Sequence, residues 1–136
     1  MKITIEALAR APIAEVWRAW NTPGDIMQWN AASEDWHTTQ SSVDLREGGS
    51  FRSRMEAKDG SFGFDFGGTY TLVEPEREIR YTMPDGREVE TTFTAEGDGV
   101  RIRTVFDAEG QNPVEMQRDG WQAILDSFVK HVEQLP

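Results

Sequence analysis

From Trp36 to Asp107 the chain breaks into short alternating runs separated by five turn signals, and this rhythm narrows the fold more than any other feature. The turns are Glu47-Gly48-Gly49, Lys58-Asp59-Gly60, Glu74-Pro75-Glu76, Pro84-Asp85-Gly86 and Gly97-Asp98-Gly99. Between them run Phe51/Met55, Phe62/Phe64/Phe66/Tyr70/Leu72, Ile79/Tyr81/Met83, Val89/Phe93/Ala95 and Val100/Ile102/Phe106. A period of two puts these side chains on one face of a strand. Links this short close hairpins, whereas a parallel crossover needs a dozen or more residues. The segment is therefore expected to form an antiparallel meander of six strands. Arg52, Arg54, Arg101 and Arg103 take alternate positions, so the other face of the sheet meets water.

The flanks follow other periods. Ile3, Ile5 and Ala7 alternate with polar neighbours and give one more strand, which Ala11-Pro12 ends. Ile13, Val16, Trp17 and Trp20 then recur at helical spacing. Asn21-Thr22-Pro23-Gly24 breaks that helix; Thr22 is expected to cap a second short one with Pro23 at its first position. This second helix ends near Trp29, with Ile26, Met27 and Trp29 on its apolar side. Asn112 is expected to cap the longest helix, with Pro113 as its first residue. Along it Val114, Gln117, Trp121, Leu125, Phe128, Val132 and Leu135 form one stripe, with Ile124 beside it. The expected fold is α+β: a curved seven-stranded antiparallel sheet around a long C-terminal helix, with two short helices after the first strand. A twisted sheet that grips a helix leaves a gap unless large side chains fill it, and function is sought in that gap.

At 136 residues the chain suits a single domain spanning residues 1–136. A net charge of −10 repels phosphate backbones and anionic headgroups, so neither nucleic acid nor membrane is expected as a partner. With no cysteine there is no disulfide, thiol nucleophile or thiolate metal site. Met1-Lys2-Ile3-Thr4-Ile5-Glu6 lacks the apolar region of a secretory signal, and no stretch approaches the ~18 unbroken apolar residues of a membrane span. A soluble, cytoplasmic protein is expected.

Several segments occur together in a familiar order: Pro12-x3-Val16-Trp17-x2-Trp20, Val43-Asp44-Leu45-Arg46-x-Gly48-Gly49, Gly68-Thr69-Tyr70 with Pro75 and Tyr81, Asp85-Gly86-Arg87, and Arg118-Asp119-Gly120-Trp121-x3-Leu125. In this set the chain resembles bacterial relatives of the C-terminal domain of the activator of the heat-shock-protein-90 ATPase, a protein of the stress response. These belong to the START-like (SRPBCC, Bet v-like) helix-grip superfamily. The resemblance implies a deep cavity between the C-terminal helix and the sheet, a place that the superfamily uses for lipids, hormones and polyketides. It does not imply one activity, because carriers, sensors and cyclases share the fold.

Three functions stay open from the sequence. The first is non-catalytic binding of a small apolar molecule in that cavity. The second is a cyclase-like enzyme acting on an aromatic or polyketide substrate, which requires an inward-pointing acid or base. The third is a co-chaperone-like interaction module, which requires an exposed apolar patch. For the first, the side chains expected to meet the ligand are Trp29, Trp36, Met55, Phe64, Phe66, Tyr81, Phe93, Gln117, Trp121, Leu125 and Phe128. Gln117 and Tyr81 are the expected polar anchors, Trp121 and Phe128 the helix wall, and Met27, Met55 and Met83 soft walls. Trp17 and Trp20 read as packing. Gln117 meets either a ligand or water, and Arg118 either a ligand carboxylate or a neighbouring acid.

No catalytic residue, metal or cofactor is expected. His37 and His131 lack metal-binding spacing, and Ser127/His131 lacks the nucleophile elbow of a hydrolase. Asp65-Phe66-Gly67 spells a kinase motif without the rest of a kinase; here Gly67-Gly68 is expected to mark a bulge or bend. A homodimer and a chaperone contact remain open as partners.

Overall fold

Every expected element forms. The structure, a computed structural model, describes residues 1–135. Strand β1 (Lys2–Ala9) leads into helices α1 (Ile13–Asn21) and α2 (Pro23–Trp29). Then come β2 (Trp36–Val43), β3 (Ser50–Ala57), β4 (Gly63–Glu74), β5 (Glu78–Thr82), β6 (Glu88–Glu96), β7 (Gly99–Asp107) and α3 (Val114–Glu133). All pairings are antiparallel, in the spatial order β1-β7-β6-β5-β4-β3-β2. The meander accounts for every neighbour but one, since β1 returns to pair with β7, Ile3 opposite Phe106. The sheet curls into a half-barrel around α3, which packs against β1, while α2 packs over β2.

Most of the core comes from residues that periodicity placed inside. Ile3, Val16, Ile102, Phe106 and Phe128 are fully buried. Tight approach, not turn freedom, dictates two glycines of β4. A Cβ on Gly67 would lie 2.3 Å from the Phe51 carbonyl oxygen, and one on Gly68 would lie 2.8 Å from that of Thr82. The bulge expected at this pair falls further on, where the register shifts between Tyr70 and Leu72. The extra residue, Thr71, reverses the side-chain parity, so Val73 and not Leu72 packs against the core.

Other local expectations are corrected. Thr22 precedes α2, yet its hydroxyl donates to the Arg18 carbonyl at 2.6 Å and does not cap the helix. Pro113, not Asn112, stands at the N-cap of α3, because Asn112 is drawn back to the Glu109 carboxylate. Met27 is exposed, and Met83 is buried in the core, so of the three methionines only Met55 reaches the gap. Ala95 is exposed beyond the end of the buried face of β6. Among the described residues no helix is long and apolar enough to cross a membrane.

Candidate functional site

Between α3 and the sheet lies a cavity of about 380 Å³, within the span of small-molecule sites (roughly 300–1,000 Å³). Trp29, Met55, Phe64 and Phe66 line it from α2, β3 and β4, and Tyr81 lines it from β5. From α3 come Gln117, Trp121 and Leu125. The helical period brings these three to one face, and Trp121 is held flat by stacking on Phe106, ring centres 3.9 Å apart. A second hollow of about 310 Å³ adjoins the first, sharing Met55, Phe64, Asn112, Gln117, Trp121 and Ile124. It forms a vestibule, and Trp36 stands there instead of in the inner chamber. Trp36, the exposed Phe62 and the half-exposed Phe64 lie within 6.2 Å of one another, centre to centre, and make an aromatic rim.

Phe93 and Phe128 do not line the chamber. Both are buried one layer behind it, against Trp20 at 5.5 and 4.8 Å; Phe128 also touches Trp29 at 5.0 Å. Trp20 therefore both packs the core and faces the gap. The expectation failed because a hydrophobic period identifies the buried side of an element and not the depth of each residue within it.

The polar groups differ most from expectation. Gln117 is buried, yet its amide is already committed. Its carbonyl accepts from the Glu109 N–H at 2.8 Å, and its Nε2 donates to the Asn112 and Glu109 carbonyls at 2.8 and 3.2 Å. Gln117 thus ties the β7–α3 loop to the helix instead of offering a free anchor. Arg118 is exposed and makes no ion pair among the described residues. His131 bonds Asp25 at 2.9 Å, joining α3 to α2. The Thr91 and Thr104 hydroxyls in the chamber wall bond each other at 2.9 Å. Among the lining residues the carboxylate is that of Glu109, half-buried and hydrogen-bonded to Asn112. Among the described residues no cluster of three His, Cys, Asp or Glu is arranged to hold a metal ion.

Tyr81 does line the chamber, and among the described residues its hydroxyl makes no hydrogen bond; the same holds for Tyr70, directly opposite it across β4 and β5. Burial pushes both phenols well above their ordinary range, and the Asp44 carboxylate adds to the effect on Tyr70. For Tyr81 the neighbouring Tyr70 adds to it and the Arg87 guanidinium opposes it. Sequence reasoning missed Tyr70, Asn30 and Arg87 as lining residues. A signal for Arg87 was present: it shares the parity of Val89 and Thr91, whose side chains point inward.

A half-barrel sheet closed on one helix, with an apolar chamber between them, defines a helix-grip pocket protein. The chain belongs to the family of activator of Hsp90 ATPase homolog 1-like proteins, whose model matches residues 10–133. Its fold is similar to the solution structure of an AHSA1-like protein from Aeromonas hydrophila, with 52% identity and a TM-score of 0.92, covering 98% of this chain and 92% of that one. A protein from Cytophaga hutchinsonii is 48% identical, with a TM-score of 0.84 and coverage of 97% and 92%. A crystal structure from Chromobacterium violaceum has 25% identity and a TM-score of 0.87, covering 98% of each chain. Comparison with curated proteins gives no match.

Proposed function

We propose that the protein binds a small hydrophobic ligand in the chamber between α3 and the sheet, without chemistry, in the cytoplasm. The observation that carries this reading is the cavity of about 380 Å³, walled by Trp20, Trp29, Phe66 and Trp121. Interiors pack to crystal-like density, so a void of this size forfeits contacts that an apolar guest restores. Burying the guest contributes about 25 cal/mol per Å² of apolar surface. Flat rings at the wall favour flat partners through offset or edge contacts. The vestibule and its aromatic rim supply an apolar approach from solvent.

The test is titration with the uncharged dye phenylnaphthylamine, which brightens in apolar surroundings. The dye is expected to bind saturably at one site and to be displaced by other apolar molecules. Trp121→Ala removes the helix wall and is expected to weaken binding about tenfold, with circular dichroism unchanged. A folded wild-type protein that leaves the dye dark overturns the reading.

A further inference from the structure

The chamber wall carries polar side chains among its apolar ones, and three of these, Tyr70, Tyr81 and Arg87, keep donors without a protein acceptor among the described residues. We infer that the ligand carries a carboxylate, received by Arg87 with the hydroxyls of Tyr81 and Tyr70. This rests on the binding role proposed above and adds the chemical class of the guest.

The argument starts from the sheet. Tyr70 and Tyr81 are cross-strand partners on β4 and β5, and Phe51 holds both rings, with centres 5.4 and 4.7 Å away. Among the described residues neither hydroxyl has a partner, yet no buried side-chain nitrogen or oxygen there is sealed off without one. Both hydroxyls therefore keep accessible surface, and both residues line the chamber. Phenols are protonated at neutral pH, so both can donate.

Arg87 enters from the β5–β6 turn on the inward side of β6. Asp85 fixes it, accepting from the Arg87 backbone N–H at 3.1 Å and from Nε at 2.7 Å. That grip uses one edge of the guanidinium. Its two terminal NH2 groups have no acceptor among the described residues. A planar fork with free donors matches a carboxylate in two parallel hydrogen bonds.

Most of the other polar groups of the wall are engaged or uncharged, Asn21 donating to the Trp17 carbonyl at 2.9 Å and Ser53 to the Ser41 hydroxyl at 3.5 Å. Thr91 and Thr104 satisfy each other, Gln117 is held by the loop, and Asn30 is neutral. Glu109 is the charge of opposite sign to Arg87 in the lining, and its Oε1 is occupied by the N–H and Nδ2 of Asn112.

Calorimetric titration with naphthoate, its methyl ester and naphthylmethylammonium tests this, since the three share one apolar body. The wild type is expected to bind naphthoate about tenfold or more tightly than the ester, and the ammonium not at all. Arg87→Gln should weaken naphthoate about tenfold and narrow the gap between acid and ester. If that variant does not fold, the Tyr70→Phe/Tyr81→Phe double variant decides: it must weaken naphthoate selectively. Equal affinity of the wild type for acid and ester overturns the carboxylate and leaves the apolar site standing. So does failure of all three to bind a protein that still brightens the dye. Failure of the dye as well overturns both.

Discussion

Tyr70 and Tyr81 are the two tyrosines of the chain, and both face the chamber, so phenol ionisation reports on this site alone. Burial raises both above their ordinary value. An unfolded chain releases these protons near pH 10, where the folded chain still holds them. Above that pH the unfolded state binds fewer protons, so stability is intact below it and falls as pH rises further. In an alkaline titration, phenolate absorbance is expected to stay silent until the molecule unfolds, and then both tyrosines should appear together. A phenolate signal that grows near pH 10 while circular dichroism stays native would contradict the packing of these rings. Gln117 teaches the complementary lesson. A buried polar residue on an apolar stripe needs partners, and the β7–α3 loop had already supplied them.

At the scale of elements, β6 and β7 carry both the wall and the core. Between them the Thr91 and Thr104 hydroxyls form a buried side-chain pair at 2.9 Å. Thr91→Val alone removes one partner and leaves the other hydroxyl unpaired, at a cost of about 1–3 kcal/mol. Replacing both threonines by valine removes the demand along with the bond and should be nearly neutral. Urea unfolding of the two single variants and the double variant gives the coupling directly; additive losses would mean that the hydroxyls do not depend on each other. The bulge at Thr71 acts on a whole strand: it turns Val73 inward opposite Ile79 and adds local twist where the sheet bends around α3.

For the whole molecule, the cavity is a liability without a guest and a reserve of stability with one. The curled sheet and α3 meet fully at Phe106, Phe128 and Val132 but stand apart over Tyr81 and Phe66. A ligand that binds only the folded state adds RT ln(1 + [L]/Kd), about 2.7 kcal/mol at a hundredfold excess over Kd. For a domain of this size that is worth about 8 °C or more in Tm. Differential scanning calorimetry with saturating naphthoate is expected to show such a rise, growing with ligand concentration. A Tm that ignores ligand excess would mean that the chamber stays empty. The net charge of −10 works in the same experiment, since self-repulsion across the surface eases as salt is added.

The sequence by itself determined what local geometry determines. Turn chemistry every ten or so residues left hairpins as the only links, and the stripe from Gln117 to Val132 required a helix with one buried face. Together these gave the sheet, the helix and the presence of a gap between them. The tertiary structure decided what borders the gap. Whether Phe93 and Phe128 touch a void or the back of Trp20 depends on sheet curvature, which sums small twists over seven strands. That the Gln117 amide is taken, while Arg87 spends only its Nε on Asp85, depends on how the β7–α3 loop and the β5–β6 turn fold back on their neighbours. Periods of two and 3.6 come from the backbone of a single segment, whereas the depth of a side chain and its unmet hydrogen bonds belong to the segments that surround it.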